Sequence, residues 1–442
     1  MISVRSEFQS KELDGLNNLP SDWHICRLKH LFKIQNGATP KSDTSEFWDG
    51  DLIWVTPADI SKLSSEYVRD SAKKITRAGL DSCGTTLVPE GTIVLSTRAP
   101  IGSICVAERN LCTNQGCKSL IPKNEVNSKF YYYYLRVSKD FLNLKGSGTT
   151  FLELPTYEMA NFNAPLPTID IQNHVVFFLD REVYRIEKLI SEKQNFIKLL
   201  KEKRQALISH VVTKGLDSDV AMKDSGVEWI GQVPKHWSIG KLKYFLNAIG
   251  DVDHYMPESI DDGIPYVMTG DLTELVSDIH FEHCKKVSER DYLKLSKKIK
   301  TSKGDVIMAR YATIGTLSYV DIDKNFLVSY SCVTINPNHA QLLGLYLFYY
   351  LKSHTFLHGI QNHINTNTQG NVGINDLRKV EICVPSLQEQ ERIINFLSEK
   401  TLSIDTIIKE TERSINLLKE HRTALISAAV TGKIDLRDKE VA

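Results

Sequence analysis

The sequence of 442 residues lacks a long apolar run and a net charge. No apolar run approaches the roughly 20 residues that cross a membrane, and the polar start of the chain lacks the apolar core of a signal peptide. We therefore expect a cytoplasmic protein. The 54 Lys and Arg residues equal the 54 Asp and Glu residues in number, whereas a domain that holds nucleic acid by charge alone is usually basic. The composition is therefore evidence against a chain that holds nucleic acid alone, but it does not exclude a DNA reader whose partners supply phosphate contacts.

Motifs for nucleotide binding and for serine nucleophiles are also missing. The sequence has no Gly-x-Gly-x-x-Gly after a strand, no Gly-x-x-x-x-Gly-Lys-Ser/Thr loop and no Gly-x-Ser-x-Gly elbow. Its eight cysteines include no Cys-x-x-Cys pair, and most of them lie in apolar, strand-like stretches. We interpret them as reduced packing residues and expect no metal site. The absences favour a binding protein without a cofactor of its own over a stand-alone enzyme.

What is present is a heptad pattern that occurs twice, 218 residues apart. No proline or glycine interrupts the first stretch between Gln172 and Lys214. Apolar residues at this spacing form a stripe that lets two helices wrap around each other. We expect an antiparallel coiled coil, with Leu189, Phe196 and Ile197 at intermediate positions of the first stripe. The predicted coiled-coil residues are Leu179, Ile186, Leu200 and Leu207 in the first helix and Leu397, Ile404, Leu418 and Leu425 in the second.

The remainder of the chain is duplicated as well. A Pro-x-x-Trp phrase that ends at Trp23 returns at Trp237, and β-branched runs after Pro-Glu-Gly or Lys-Gly-Asp predict strands in both copies. The predicted fold class is α+β, with two strand-rich α/β domains, two long helices forming an antiparallel coiled coil, and an internal pseudo-two-fold repeat. The expected segments are a lead-in (1–19), a first globular domain (20–167), a first spacer helix (168–215), a connector (216–233), a second globular domain (234–385), a second spacer helix (386–432) and a C-terminal tail (433–442).

Each globular domain contains an aromatic segment, at 130–135 and 346–351, and then a small-residue polar loop, at 145–150 and 365–370. Exposed tyrosines could stack on bases, but aromatic helix faces are mostly packing surfaces. The polar loops could approach the edge of a nucleic acid and offer hydroxyl and amide groups. An ordinary solvent loop explains the same composition equally well.

Several stretches resemble the specificity subunits of type I restriction–modification systems. The connector at 214–237 is similar to the central connector of that family, 426–435 to its C-terminal phrase and 385–392 to the start of its second spacer helix. Residues 36–41 and 54–59 resemble the opening of a target recognition domain. One departure is the segment 167–172, which lacks the usual acidic pair before its glutamine.

The resemblance implies that each globular domain is a target recognition domain that reads one half of a split sequence in double-stranded DNA. The spacer helices would hold the two domains apart and dock two methyltransferase subunits. Those subunits would carry adenosylmethionine, ATP-dependent restriction subunits would join them, and this chain would catalyse nothing. The alternative function is a coiled-coil scaffold whose globular domains bind proteins.

Candidate DNA-binding residues come from turns after strands, from the polar loops and from the family-like opening. An arginine fork at Arg98 or Arg310 suits guanine or a phosphate, although a structural ion pair would use the same residue. The candidates in the first domain are Lys41, Trp54, Thr56, Arg98, Asn114, Gln115, Lys118, Thr149 and Thr150. Those in the second domain are Arg310, Tyr311, Tyr330, Ser331, Asn365, Asn367 and Gln369.

Overall fold

A computed structural model describes residues 16, 18–63, 65–98, 100–123, 125–148, 152–311, 313–361, 364–365, 371–434 and 436, with only the backbone of 364–365. The chain forms two compact units. Unit 1 consists of Met1–Glu192 and Arg413–Ala442, and unit 2 consists of Lys193–Glu412. Each unit therefore combines one globular domain with a part of each long helix.

The two long helices are Ile169–Lys214 and Leu387–Val430. The first follows Pro167 and ends before Gly215, whose φ of 78° is the left-handed conformation that glycine adopts readily at a helix C-terminus. The other helices of unit 1 are Leu28–Leu31, Pro57–Ser61, Arg77–Asp81, Ser128–Val137, Lys139–Leu144 and Thr156–Ala160. Those of unit 2 are Glu289–Leu295, Gly344–Lys352, His354–Gln361 and Ile374–Leu377.

The globular domain of unit 1 is built on a five-stranded, mostly antiparallel sheet. Its strands, in spatial order, are Phe32–Asn36, Cys117–Pro122, Ile93–Ser96, Ile104–Ala107 and Tyr67–Val68. A three-stranded sheet holds Lys74–Ile75, Trp48–Val55 and Cys112–Thr113, and a two-stranded sheet pairs His24–Arg27 with Asn163–Leu166.

Unit 2 repeats this arrangement. Its main sheet has the spatial order Leu246–Gly250, Cys332–Pro337, Val306–Ala309 and Leu317–Tyr319. A three-stranded sheet holds Lys285–Val287, Ile264–Val267 and Leu327–Val328. Two-stranded sheets pair Ser238–Lys241 with Glu381–Val384, Met222–Asp224 with Gln232–Pro234, and Ile364–Asn365 with Asn371–Val372. The predicted α+β fold with an internal repeat is confirmed.

The aromatic helices Ser128–Val137 and Gly344–Lys352 are packing elements. Their tyrosines are buried, and most of the hydroxyls hydrogen-bond to other elements of the same unit, whereas the Tyr132 hydroxyl accepts from Arg136 of its own helix. Tyr134 donates to the carbonyl of Asn163 (2.7 Å), and Tyr350 makes the equivalent bond to Glu381 (3.2 Å). The packing interpretation is therefore the correct one for these tyrosines.

A buried glutamine joins each long helix to its own globular domain. The side-chain amide of Gln390 donates to the carbonyls of Pro385 (2.9 Å) and Gln341 (2.8 Å), and its oxygen accepts the amide of Leu343 (2.8 Å). Gln172 occupies the equivalent position in unit 1 and is equally buried. Because the amide oxygen and both amide hydrogens of each buried side chain are hydrogen-bonded, these glutamines fix the start of each helix.

The helix segments pack in an antiparallel arrangement within each unit. In unit 1, Leu179 shares a core with Val430, and Glu187 lies 3.2 Å from Arg422. In unit 2, Val212 shares a core with Ile393 and Leu397, and Arg204 lies 3.0 Å from Asp405. As the numbers rise along the first helix they fall along the second. Of the predicted coiled-coil residues, Leu179, Ile186, Leu200, Leu397 and Ile404 are buried, and Leu207, Leu418 and Leu425 are partly buried.

One part of the stripe was predicted wrongly. Leu189 and Phe196 are 45% and 46% exposed, whereas Ile190 and Ile197 are buried. In an α-helix, a residue four positions further on lies about 40° from the first residue around the axis, which keeps it near the stripe. A residue three positions further on lies about 60° away in the opposite direction. The second row of the stripe follows the first by four residues, which leaves Leu189 and Phe196 on the outer surface.

Six of the eight cysteines are buried as free thiols. Burial raises the pKa of Cys105 and Cys112 to about 12, so these thiols stay protonated and act as small apolar side chains. Across the described ranges, no helix combines the length and apolar character needed to span a membrane.

Candidate nucleic-acid interface

One end of the main sheet in unit 1 gathers four of the predicted DNA-binding residues. Arg98 follows the strand Ile93–Ser96, while Asn114 and Gln115 form the turn before Cys117–Pro122. Lys118 lies within that strand and is paired in register with Leu95 on one side and Asn36 on the other. The antiparallel topology therefore brings together side chains from two separate stretches of the sequence.

Glu153 organises the two cations at this end of the sheet. The Nε of Arg98 donates to Glu153 Oε2 at 3.0 Å, and Lys118 Nζ lies 3.9 Å from Glu153 Oε1. Burial lowers the pKa of Lys118, although the nearby carboxylate of Glu153 opposes this shift. The Lys118 side chain is only 6% exposed, compared with 47% for Arg98. A ligand at this surface would therefore meet Arg98 first, with Lys118 as a charge behind it.

The other candidates of unit 1 have different surroundings. Gln115 is exposed and is hydrogen-bonded to the hydroxyl of Thr39, and the side chain of Lys41 is also exposed. Thr56 caps the helix Pro57–Ser61, and Asn114 accepts the amide of Gly116 at 3.0 Å. Both residues shape the loops around the cluster.

Trp54 lies in the core of the domain. It is buried, its indole N–H donates to the carbonyl of Ala38 at 3.0 Å, and its ring meets the ring of Trp48 edge-on at 5.2 Å. These contacts explain a tryptophan at this position by packing. A role in DNA binding stays a prediction for Trp54, as it does for the other residues of the candidate set.

Unit 2 carries a different set of groups at the equivalent end of its sheet. Arg310 follows the strand Val306–Ala309, as Arg98 follows Ile93–Ser96. Its NH2 lies 3.2 Å from Asp251 Oδ2, and both side chains are only 7% exposed. The guanidinium stands 5.2 Å from the ring centre of Tyr311. The Nε of Arg310 is buried and has no hydrogen-bond partner among the described residues, an arrangement that is rare for a buried donor.

Asp251 connects Arg310 to further polar side chains. Lys298 Nζ lies 3.1 Å from Asp251 Oδ1, and His254 Nε2 lies 3.3 Å from Asp251 Oδ2. The ring of His254 lies 5.1 Å from that of Tyr330. Tyr330 and Ser331 precede the strand Cys332–Pro337 and are partly buried. The structure therefore brings Arg310, Tyr311, Tyr330 and Ser331 to one end of the sheet.

Sequence reasoning missed Glu153, Asp251, Lys298 and His254. Glu153 is separated from Arg98 by 55 residues, and nothing in its local sequence marks it as the partner of that arginine. The same difficulty applies to Asp251 and Arg310. For Asp251 alone a signal existed in the strand pattern, because Asp251 and Arg310 each directly follow a strand of the same sheet.

The polar loops can be described only in part. Thr149, Thr150, Asn367 and Gln369 lie outside the described residues, and Asn365 is described only as backbone paired with Asn371. Their predicted roles stay predictions. In the described portion of the chain, no group of three or more His, Cys, Asp or Glu residues is placed to hold a metal ion.

The family model described as "Type I restriction modification DNA specificity domain" matches this chain twice, at residues 20–199 and 237–417. The chain therefore belongs to this family. Both matches begin in a globular domain and extend into a long helix, so they reproduce the duplication. The chain is a type I restriction–modification specificity subunit, which is the DNA-recognition component and not a catalytic one.

Two curated relatives cover nearly the whole chain. The MjaIX specificity subunit of Methanocaldococcus jannaschii is 23% identical over 99% of each chain. The EcoBI specificity subunit of Escherichia coli is 21% identical over 98% of this chain and 90% of that protein.

Solved structures show the same fold. One, described as the structural basis of complex assembly and conformational transition of the type I R-M system, has a TM-score of 0.71 at 16% identity and covers 94% of this chain and 100% of that chain. The HsdS subunit from Thermoanaerobacter tengcongensis has a TM-score of 0.54 at 18% identity and covers 96% of this chain and 100% of that chain.

Proposed function

We propose that each globular domain reads one half of a bipartite DNA sequence. The observation that supports this is a repeated sheet end with different side chains. Arg98 in unit 1 corresponds to Arg310 in unit 2, and their acidic partners, Glu153 and Asp251, come from different parts of the repeat. An arginine that contacts base edges favours guanine, and its neighbours decide the adjacent positions. Different neighbours at equivalent positions predict two different half-sites.

The long helices are proposed to dock two methyltransferase subunits. Three positions are exposed and apolar in both copies of the repeat, namely Tyr184 and Leu402, Leu189 and Ile407, and Leu199 and Leu417. Each pair is separated by the same 218 residues. Duplicated apolar surface suits two copies of one partner better than a single unrelated protein. These partners would carry adenosylmethionine, and restriction subunits that use ATP would join the same complex in the cytoplasm.

The helices are also proposed to set the distance between the half-sites. A helix of 46 residues is about 69 Å long, compared with about 34–36 Å for one turn of DNA. Insertion of four residues near both Leu200 and Leu418 would lengthen each helix by about 6 Å and keep the stripe within about 40° of register. The mapped methylation sites should then have one or two more base pairs between the same half-sites. An unchanged gap in an active variant would assign the distance to the DNA or to the partner subunits.

The experiment that tests the main proposal is a gel shift on random-sequence DNA, with the chain alone and with its methyltransferase partner. A neutral chain makes few phosphate contacts, so it should bind weakly alone and select a bipartite sequence with the partner. Nanomolar, sequence-specific binding by the isolated chain would contradict the argument from charge. A complex that forms but selects no DNA sequence would favour the protein-binding scaffold instead.

A further inference from the structure

The arginine that opens the repeated phrase Arg-x-Ala-Leu-Ile-Ser links the helices of unit 2 to the globular domain. Arg204 Nε lies 3.0 Å from Asp405 Oδ1 on the second long helix. Arg204 NH2 lies 2.9 Å from Glu274 Oε2, which belongs to the globular domain. Lys352, at the end of the helix Gly344–Lys352, is a second partner of Glu274. One guanidinium therefore contacts both the other helix and the domain.

Other residues of the same phrase reach the same helix end. The side-chain amide of Gln205 donates to the carbonyl of Lys352 at 2.6 Å, and the hydroxyl of Ser209 accepts the amide of His354 at 2.8 Å. Three residues at positions 204–209 thus contact the domain. We call the four charged residues Arg204, Glu274, Lys352 and Asp405 the unit 2 network.

The equivalent positions of unit 1 carry the same signs of charge. Arg422 NH1 and Arg136 NH2 lie 3.2 Å and 3.6 Å from Glu187 Oε1. Arg422 corresponds to Arg204, Glu187 to Asp405, and Arg136 to Lys352. Glu66 corresponds to Glu274, but its ion-pair partner is Lys129, 2.9 Å away. Burial raises the pKa of Glu66, and Lys129, with a weaker contribution from the Arg136 charge, holds it below its ordinary value. We call Arg422, Glu187, Arg136 and Glu66 the unit 1 network.

The backbone supports the last correspondence. The carbonyl of Glu66 accepts the amide of Val106 at 2.8 Å, and that of Glu274 accepts the amide of Tyr319 at 2.9 Å. In each case the donor lies in the strand that pairs with the strand before Arg98 or Arg310. The two networks therefore carry the same charges at equivalent positions, but the bridging carboxylate differs. Glu274 joins Arg204 to Lys352 in unit 2, whereas Glu187 joins Arg422 to Arg136 in unit 1.

We propose that these two networks hold each recognition domain in a fixed orientation on the spacer helices, and that Arg204 and Glu274 in unit 2, and Arg422 and Glu187 in unit 1, are positioning residues for the spacing of the DNA half-sites. This inference rests on the proposed function, because spacing has meaning only for a bipartite site.

Burial and geometry explain why these ion pairs can position a domain when most surface pairs cannot. An exposed pair such as Arg77 with Asp81 contributes little, because water screens it and both side chains stay mobile. The side chains of Arg204 and Lys352 are only 12% and 16% exposed, whereas that of Glu274 is 53% exposed, so the two cations are the buried partners. Burial raises the pKa of Glu274, but Lys352 and Arg204 outweigh this effect and hold that pKa below its ordinary value. Glu274 is thus kept charged between two cations.

A small tilt of the domain would change which DNA spacing fits. A domain of about 150 residues has a radius of roughly 20 Å, so its far edge lies about 40 Å from the helices and a tilt of about 5° moves that edge by about 3.5 Å. This movement is close to the rise of one base pair, about 3.4 Å. Loss of the network should therefore relax the preference for one gap length before it reduces recognition of either half-site.

The test measures methylation by the complex with its methyltransferase partner on duplexes that carry the two half-sites at the native gap and at one base pair more or less. The variants are Glu274→Gln, Arg204→Gln and the double variant, with Arg204→Lys as the conservative change. The control is Glu282→Gln, which removes an exposed carboxylate paired with His280 in the same unit. Arg422→Gln repeats the test in unit 1.

We expect the ratio of methylation at the native gap to that at shifted gaps to fall about fivefold or more in Glu274→Gln and Arg204→Gln. The double variant should lose less than the sum of the two single losses, because both single variants remove the Arg204–Glu274 contact. Arg204→Lys should retain part of the preference, and the control should match the wild type. An unchanged ratio would overturn the inference, including the case in which methylation falls by the same factor at all three gaps.

A second measurement keeps the two proposals separable. Hydrogen exchange of the peptides that contain 204–209 and Gly344–Lys352 reports on the domain–helix contact without DNA. Exchange there should accelerate at least about fivefold in Glu274→Gln and not in Glu282→Gln. If the wild-type complex selects no bipartite DNA, the proposed function fails. If exchange is unchanged, the positioning role fails, whatever the DNA result.

Discussion

Asp305 offers a stability prediction with an internal reference in the same chain. Its carboxylate is completely buried and accepts the amide of Ser302 and the side-chain amide of Asn336, both at 2.8 Å. Burial raises the pKa of Asp305 to about 6. The equivalent residue of unit 1 is Thr92, which is also buried and donates its hydroxyl to the carbonyl of Pro89 at 2.7 Å. The same turn therefore exists with and without a titratable group.

The direction of the pH effect follows from the two pKa values. The folded-state pKa of about 6 lies above the unfolded value of about 3.9, so the folded state binds more protons between them. The stabilisation is complete below pH 4 and is lost as the pH rises through 6. Because the pKa of Asp305 differs between the folded and unfolded states, the free energy of opening of unit 2 falls by about 1.4 kcal/mol from pH 5 to pH 8. Asp305→Asn and Asp305→Thr should remove this decrease.

Hydrogen exchange measured by mass spectrometry can resolve this effect, because it reports on separate parts of a chain with two units. The peptide of Val306–Ala309 should show the pH dependence in the wild type and lose it in both variants, after correction for the intrinsic exchange rate. The peptide of Ile93–Ser96 in unit 1 is the internal control and should not respond. If the difference between wild type and Asp305→Asn is the same at pH 5 and pH 8, the assigned pKa is wrong.

Three further predictions concern recognition and assembly. Arg98→Ala should weaken binding by about 1–3 kcal/mol at one half-site only if this arginine reads a base, and an equal loss on sites mutated in either half would show a phosphate contact. Gln390→Leu should destabilise unit 2 by about 3 kcal/mol or more in chemical denaturation, because it leaves three buried polar groups unpaired, and Gln172→Leu should do the same in unit 1. A chain that ends near Gly231 should self-associate through its unpaired stripe and, with the methyltransferase, recognise two copies of the first half-site in a symmetric arrangement. A strictly monomeric, inactive fragment would count against that last prediction.

The long helices could be predicted well because their signal is local and periodic. The sequence placed them at 168–215 and 386–432, and the structure has them at Ile169–Lys214 and Leu387–Val430. The error at Leu189 and Phe196 has a physical cause, since apolar residues occur on the outer surface of these helices as well as in the stripe. Periodicity alone cannot separate a stripe that packs within the chain from an apolar surface that a partner would cover.

The candidate interface was harder to predict, because it depends on contacts between distant parts of the chain. The sequence identified Arg98 and Arg310 from their position after a strand, but it could not show that Glu153 and Asp251 would lie beside them. Trp54 was a candidate from a family-like phrase, whereas the structure shows that its ring and its N–H are used inside the domain. Phrases shared within a family mark scaffold residues as readily as residues that contact a ligand.

The duplication separates these two classes of residue more clearly than either copy does alone. Where both units use the same chemistry, as at Gln172 and Gln390, the residue serves the joint between helix and domain, which must be the same for any DNA sequence. Where equivalent positions differ, the fold that the two units share does not require one particular side chain. The sheet ends fall in this second class, because Arg310 is buried against Asp251 while Arg98 is half exposed beside Glu153. We therefore expect exchange of the groups around Arg98 for those around Arg310 to change the proposed half-site preference of the domain.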